Sequence, residues 1–166
     1  NKMNNLSKIV VAILAGGLGT RLQSKTNGIP KVLMQVKSHA FLEYILNQLN
    51  IANFRNIVLC TGYLSSEIEQ AFGNNYKNLN LIYSPEKISL GTGGSLKNAF
   101  KYLNSENILV MNGDSFCDID FEKFLNFHLT KKAKISMVLL ASSDVKRFGK
   151  VKKQISGKIV KFSEKE

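Results

Sequence analysis

Residues 15–22 read Ala15-Gly16-Gly17-Leu18-Gly19-Thr20-Arg21-Leu22, with three glycines crowded ahead of the first arginine in the chain. Glycines carry no Cβ, so backbone N–H groups there can close on a phosphate or a base. Arg21 adds a planar fork that gives two hydrogen bonds to phosphate oxygens. Pro30-Lys31 comes ten residues past Arg21; proline fixes the local backbone, and Lys31 brings a second cation near the same loop. A second glycine-rich segment, Gly91-Thr92-Gly93-Gly94-Ser95-Leu96, precedes apolar residues at helical spacing. A helix opening there offers free N–H groups and a positive dipole end. Asn112-Gly113-Asp114 closes an apolar run, and a carboxylate so placed suits a hard cation such as Mg²⁺, bound through oxygen. Each segment alone also reads as a turn or a helix cap. Their joint occurrence at the ends of predicted strands points instead to nucleotide phosphate chemistry.

Two rival phosphate motifs fail on counting. GxGxxG started at Gly17 and Gly19 needs a third glycine where Leu22 stands, and no Gly-Lys-Ser/Thr occurs for a P-loop. Dinucleotide-dependent hydride transfer and P-loop hydrolysis lose their support.

The elements that must position these residues alternate. Lys8–Ala15 is a continuous apolar, β-branched run, as in a strand buried on both faces. Ala40–Asn50 carries Leu42, Ile45, Leu46 and Leu49 at helical spacing, and Asn56–Thr61 reads as the second strand. Ser66 and Glu69 predict a capping box for a short helix ending near Gly73, with Ile68 and Phe72 inward. Asn80–Ser84 is the third strand; Leu96, Ala99, Phe100 and Leu103 mark an amphipathic helix; Asn107–Asn112 is the fourth strand. Asp120 can cap a helix bearing Phe121, Phe124, Leu125 and His128, and Lys134–Ala141 reads as a fifth strand. Lys150–Lys153 and Lys158–Phe162 predict a hairpin at a sheet edge around Gly157, and Pro30 and Pro85 fall in loops. Strands separated by helices imply a three-layer α/β/α, Rossmann-like, mostly parallel sheet with right-handed crossovers. In such a sheet ligands bind beyond the carboxyl ends of the strands.

Composition excludes several classes. At 166 residues the chain reads as one domain, residues 1–166, and its 44% apolar content is enough for a core. No apolar run approaches the roughly 20 residues that cross a bilayer, and no signal-peptide pattern is found. Residues 1–7 read as a disordered or expression-derived leader, since Met3 follows Asn1 and Lys2. Cys60 and Cys117 stand apart without zinc or disulfide spacing, so both are expected to be buried thiols in a reducing cytoplasm. The net charge of +11 comes almost wholly from scattered lysines. A nucleic-acid binder would cluster them with aromatics, so the charge favours a phosphorylated small molecule, with neither nucleic acid nor membrane as partner.

The quoted residues, AGGLGTRL followed by IPKVL, GTGGSL and NGD, resemble the sugar-phosphate nucleotidyltransferases, over most of the chain from about Ile9 to Lys165. Within that family Arg21-Leu22-Gln23-Ser24 is most similar to the D-glycero-D-manno-heptose 1-phosphate guanylyltransferases. The resemblance implies the nucleotide-diphospho-sugar transferase fold and condensation of an NTP, here GTP, with a sugar 1-phosphate, releasing pyrophosphate, with Mg²⁺ as cofactor. It implies nucleotide contacts from Ala15, Gly16, Gly17, Gly19, Thr20, Arg21, Gly91, Thr92 and Gly93. Arg21, Lys31 and Asp114 would be catalytic, Asp114 also binding the metal. Asn112, Gly149, Glu164 and Lys165 would take the sugar phosphate. The family continues past the Glu-Lys pair and supplies a second metal aspartate there, so the chain is expected to be C-terminally truncated relative to it. A homo-oligomer and a cytoplasmic setting are further implications. His128, on an apolar helix face, and His39, ahead of a helix, read as boundary and cap or surface residues. The competing readings are a nucleotide-sugar sensing subunit without catalysis, the same reaction with another NTP or hexose phosphate, and a nucleic-acid-binding domain.

Overall fold

A computed structural model describes residues 5–16, 29–62, 65–141 and 149–163. The chain divides into two compact units, residues 1–127 and 128–166.

In the first unit, Val10–Ala15 forms β1, Gln35–Val36 and His39–Ala40 form the small hairpin β2–β3, and Phe41–Ile51 forms α1. Asn56–Thr61 is β4, Ser65–Phe72 α2, Asn75–Tyr76 β5, Leu79–Pro85 β6, Gly91–Ala99 α3 and Ile108–Asn112 β7. The main sheet runs β5-β6-β4-β1-β7 and is parallel except for the short β5–β6 pair. From β1 the chain crosses outward to β4 and β6, then returns over α3 to β7 on the other side of β1. That reversal leaves a crevice at the carboxyl ends of β1 and β7, where an open α/β sheet places its ligands.

The crossovers run in opposite directions, so right-handedness puts their helices on opposite faces. Alternation along the strands fills both layers. Val11 and Ile13 of β1, with Ile57, Leu59 and Leu81, pack against Leu42, Ile45, Leu46 and Leu49 of α1 and Ile68 of α2. Val10, Ala12, Val58 and Cys60 meet Ala99 and Leu103 on the α3 side. The expected three-layer sheet is therefore present. Leu6, inside the expected 1–7 leader, is buried with the α1 side of the core, and Asn5 caps a single 3₁₀ turn at Leu6–Lys8.

Several local expectations are corrected. Ser66 lies inside α2 and its hydroxyl donates to Glu67, not into a capping box with Glu69; Gly73 at φ +61° ends the helix as expected. Past Ala99 the helix tightens to a 3₁₀ turn at Phe100–Tyr102. Three residues per turn align Leu96, Ala99 and Tyr102 on the core side, and Phe100 turns out to 72% exposure. Pro85 is the last residue of β6, opposite Thr61, not a loop residue. Of the two places expected for His39, the surface one holds: it is exposed and pairs with Glu43 at 3.1 Å, while Ala40 occupies the N-cap of α1. Cys60 is buried, but Cys117 is only half-buried, and both thiols are free.

Phe121–Thr130 forms α4, whose cap is the predicted one: Lys123 N–H donates to Asp120 Oδ1 at 2.9 Å. Phe121 is buried edge-on against Phe54.

In the second unit, Lys150–Lys153 (β8) and Ile159–Ser163 (β9) make the predicted hairpin, with Gly157 at φ +88° in its turn. Among the described residues it is a separate two-stranded sheet, not an edge of the main one. Lys134–Ala141, read as a fifth strand, forms none. A strand is defined by ladder partners; this stretch has the apolar, β-prone composition without the partner, and Ile135 and Leu140 stand 83% and 78% exposed. His128 is half-buried and its Nδ1 lies 2.9 Å from Ser136 Oγ.

Candidate active site

The carboxyl end of β1 runs through Ala15 into Gly16, and the neighbouring strand β4 runs through Thr61 into Gly62. These two glycines meet backbone to backbone: a Cβ on Gly62 would lie 2.7 Å from the carbonyl oxygen of Gly16. Thr61 is fastened on both sides, its hydroxyl 2.7 Å from Ser65 Oγ and its carbonyl accepting from Glu86 N–H at 2.8 Å.

On the other side of β1, β7 ends at Asn112, in register with Leu14. Gly113 extends the pairing by donating to Leu14 O at 2.8 Å. A Cβ on Gly113 would lie 3.0 Å from that oxygen and 3.2 Å from Val32 Cγ1, so glycine lets the next residue, Asp114, emerge close beside the turn that carries Val32. That turn follows Pro30. Leu33 N–H donates to Pro30 O at 2.8 Å, Val32 is buried, and Lys31 is left pointing outward. Its ammonium reaches Asp114 Oδ2 at 2.8 Å, with both side chains part-exposed. The hydrogen-bonded Lys31 ammonium holds the Asp114 carboxyl below its ordinary range, against the opposing pull of partial burial.

Beyond β6 stands α3, opening at Gly91 with φ +68°. Leu90, at the N-cap, supplies no side-chain acceptor, so the first N–H groups of the helix are not capped from there. Gly91, Thr92 and Gly93 are exposed. Gly94 lets Leu90 fold back over the helix, since a Cβ there would lie 2.6 Å from Leu90 Cβ.

Two residues at these strand ends carry no motif and were not singled out from the sequence. One is Gly62. The other is Glu86, directly after β6, which is 7% exposed. Its Oε2 accepts Leu90 N–H at 3.2 Å, while its Oε1 is buried with no hydrogen-bond partner among the described residues. A buried polar oxygen without a partner costs about 1–3 kcal/mol. The only signal in sequence is an acid set between a strand and a glycine-rich helix start.

The structure thus brings Lys31 and Asp114 together, with Asn112 and Gly16 at adjoining strand ends, and sets Gly91, Thr92 and Gly93 beyond β6. Gly149 belongs to the second unit, where a Cβ on it would meet Phe162 and Ser163 O at 3.2 Å. Gly17, Gly19, Thr20, Arg21, Glu164 and Lys165 lie outside the described residues. Among the described residues no three His, Cys, Asp or Glu side chains gather as a metal cage. Mg²⁺ is commonly held by one or two carboxylates plus substrate phosphates, so the single carboxylate of Asp114 fits a cation that shares its coordination with phosphate.

Comparison with known proteins agrees with this geometry. The nucleotidyl transferase family model matches residues 10–165. The D-glycero-alpha-D-manno-heptose 1-phosphate guanylyltransferases of Aneurinibacillus thermoaerophilus and Campylobacter jejuni are 37% and 36% identical over 92% of this chain. The chain spans about two thirds of those relatives, 66% and 67% of their lengths. The crystal structure of HddC from Yersinia pseudotuberculosis complexed with GMP-PN matches with TM-score 0.76 at 30% identity, covering 95% of this chain and 69% of that one. A Bacillus anthracis chain crystallised with sucrose shows the same fold, with TM-score 0.85 at 22% identity over 95% of this chain and 65% of that one. With the matched region running from the first residue of β1 to beyond β9, the chain belongs to the nucleotidyl transferase family.

Proposed function

We propose that this protein condenses GTP with a sugar 1-phosphate, D-glycero-D-manno-heptose 1-phosphate first among candidates, to give the GDP-sugar and pyrophosphate. The observation that carries the reading is the Lys31–Asp114 pair at the sheet's switch point, a cation and a carboxylate side by side where a triphosphate would lie. The heptose 1-phosphate guanylyltransferases among the relatives supply the sugar and the base.

The reaction is in-line attack by a phosphate oxygen of the sugar 1-phosphate on the α-phosphorus of GTP. A new P–O bond forms as the α–β bridging bond breaks, and pyrophosphate departs with that electron pair. The second pKa of a phosphate monoester lies near ~6, so the nucleophile is ionised at neutral pH and no general base is needed. The problem left to the protein is repulsion between two polyanions, met by placement and fixed cations. Lys31 and Arg21 would hold the triphosphate, Arg21 toward the leaving pyrophosphate, and Lys165 the sugar phosphate. Glu164, Gly149 and Asn112 would orient the sugar. Mg²⁺, held by Asp114, would neutralise charge on the phosphates.

We infer a cytoplasmic setting from the chemistry of these substrates. No helix among the described residues is long and apolar enough to cross a membrane. The test is pyrophosphate release with Mg²⁺, each NTP being tried against heptose, mannose and glucose 1-phosphates. Release with GTP and heptose phosphate is expected; retained nucleotide binding without release across the panel would replace this reading with a sensing subunit.

A further inference from the structure

Asp114 is engaged on both carboxylate oxygens, Oδ2 by the Lys31 ammonium at 2.8 Å and Oδ1 by the Ser115 hydroxyl at 3.2 Å. The pairing is built into the fold. The Lys31 turn and the Asp114 strand end pack on each other through Val32 and Gly113, where even one added methyl would press on Val32 Cγ1 at 3.2 Å. Both side chains nonetheless keep substantial exposure, 40% for Lys31 and 45% for Asp114. An ion pair that exposed contributes little to stability, so a ligand of higher charge can dissolve it. Lysine has three donors on a flexible stem and can turn from a carboxylate to a phosphate without backbone movement.

We propose that Lys31 holds the cation place at Asp114 in the nucleotide-free protein, and that an incoming triphosphate draws its ammonium away and so opens the carboxylate to a divalent metal. The inference rests on the assignment of Asp114 to the metal and Lys31 to the phosphates. A resident ammonium and a divalent cation on the same carboxylate repel each other. The nucleotide-free protein therefore takes metal poorly, and metal enters with or after the nucleotide. Because binding linkage is reciprocal, a residue that excludes metal before nucleotide arrives also ties metal affinity to nucleotide occupancy.

The experiment titrates Mn²⁺ by water-proton relaxation against nucleotide-free wild type, Lys31→Gln, Lys31→Arg and Lys31→Gln/Asp114→Asn, with circular dichroism checking that each is folded. Lys31→Gln is expected to bind Mn²⁺ tighter by at least about fivefold, the low end of ordinary two-site coupling. Lys31→Arg keeps a cation in place and stays at the wild-type level, and the double variant loses the gain. An affinity in Lys31→Gln that is unchanged, weaker or undetectable overturns the proposal. A gain that survives in the double variant also overturns it, because the cation displaced by Lys31 is then not on Asp114. A wild type that releases no pyrophosphate, beside a Lys31→Gln gain that needs Asp114, would sink the proposed reaction and leave the exchange standing.

Discussion

Gly62 and Gly16 lie so close that a single Cβ on Gly62 would sit 2.7 Å from the Gly16 carbonyl oxygen. Gly16 precedes the residues proposed to hold the nucleotide, so the end of β4 sets the course of the chain where it leaves β1. Real Cβ atoms do not come this close to backbone, and the obstacle is main chain that cannot swing aside. Gly62→Ala should therefore displace Gly16 while the buried strands hold their register. Misplacement of about 1 Å can cost on the order of 10²-fold in rate. The expected outcome is a loss of about tenfold or more in kcat/KM for GTP with an unchanged circular dichroism spectrum; wild-type kinetics would show that Gly16 has no such role.

The two thiols should separate by reagent. Burial, with the nearby Glu86 carboxyl as the lesser cause, pushes the Cys60 thiol up to about 11. At pH 8 Cys60 is therefore protonated as well as enclosed, and a disulfide reagent should titrate only Cys117 until denaturant is added. The raised value also fixes a sign for stability. Between the ordinary thiol value of 9.0 and about 11 the unfolded chain loses this proton and the folded chain keeps it. Stability from this group is fully present below pH 9 and is lost as pH rises through that window. Rapid labelling of two thiols in native protein at pH 8 would contradict the burial of Cys60.

What the sequence showed and what it hid follow from how far each signal reaches. The strands β1 and β4 are legible because both faces are covered, leaving unbroken apolar runs at Val10–Ala15 and Ile57–Cys60. Gly113 and Asp114 were legible because they follow such a run. Residues 135–141 carry the same kind of apolar run, but a strand also needs a hydrogen-bonded neighbour, which composition does not encode. Gly62 and Glu86 were missed for a related reason. Each acquires meaning only through a residue brought near by the sheet, Gly16 in one case and the Leu90 N–H in the other. The capping box at Ser66 misled because the helix has already begun there: Ser65 lies within α2.

Phe54 offers a test of the core independent of the site. It is 1% exposed and meets Phe121 edge-on with ring centroids 5.2 Å apart. It joins the end of α1 to the start of α4 across the same apolar layer that supports β1. Phe54→Ala removes the ring and leaves a cavity in that layer, costing about 3–5 kcal/mol. Urea denaturation should show the midpoint falling while the slope stays constant. A loss below about 1 kcal/mol would mean that the neighbouring side chains collapse into the gap.

Asp114→Asn tests the charge argument with little change of shape. Asparagine keeps the volume and one carbonyl oxygen, so the Lys31 ammonium retains a neutral acceptor in place of the charged one it now contacts at 2.8 Å. A neutral amide binds a hard cation far more weakly than a carboxylate. The magnesium concentration for half-maximal pyrophosphate release should therefore rise by about tenfold or more, and kcat at ordinary magnesium should fall. Arg21→Ala is the companion, expected to lower turnover by on the order of 10²-fold with an unaltered magnesium titration, since it acts on the leaving phosphates and not on the metal. The two variants thus divide electrostatic catalysis into a metal-dependent and a metal-independent part. A magnesium titration unchanged in Asp114→Asn removes that residue from the metal role, and near-normal turnover in Arg21→Ala does the same for its role at the pyrophosphate.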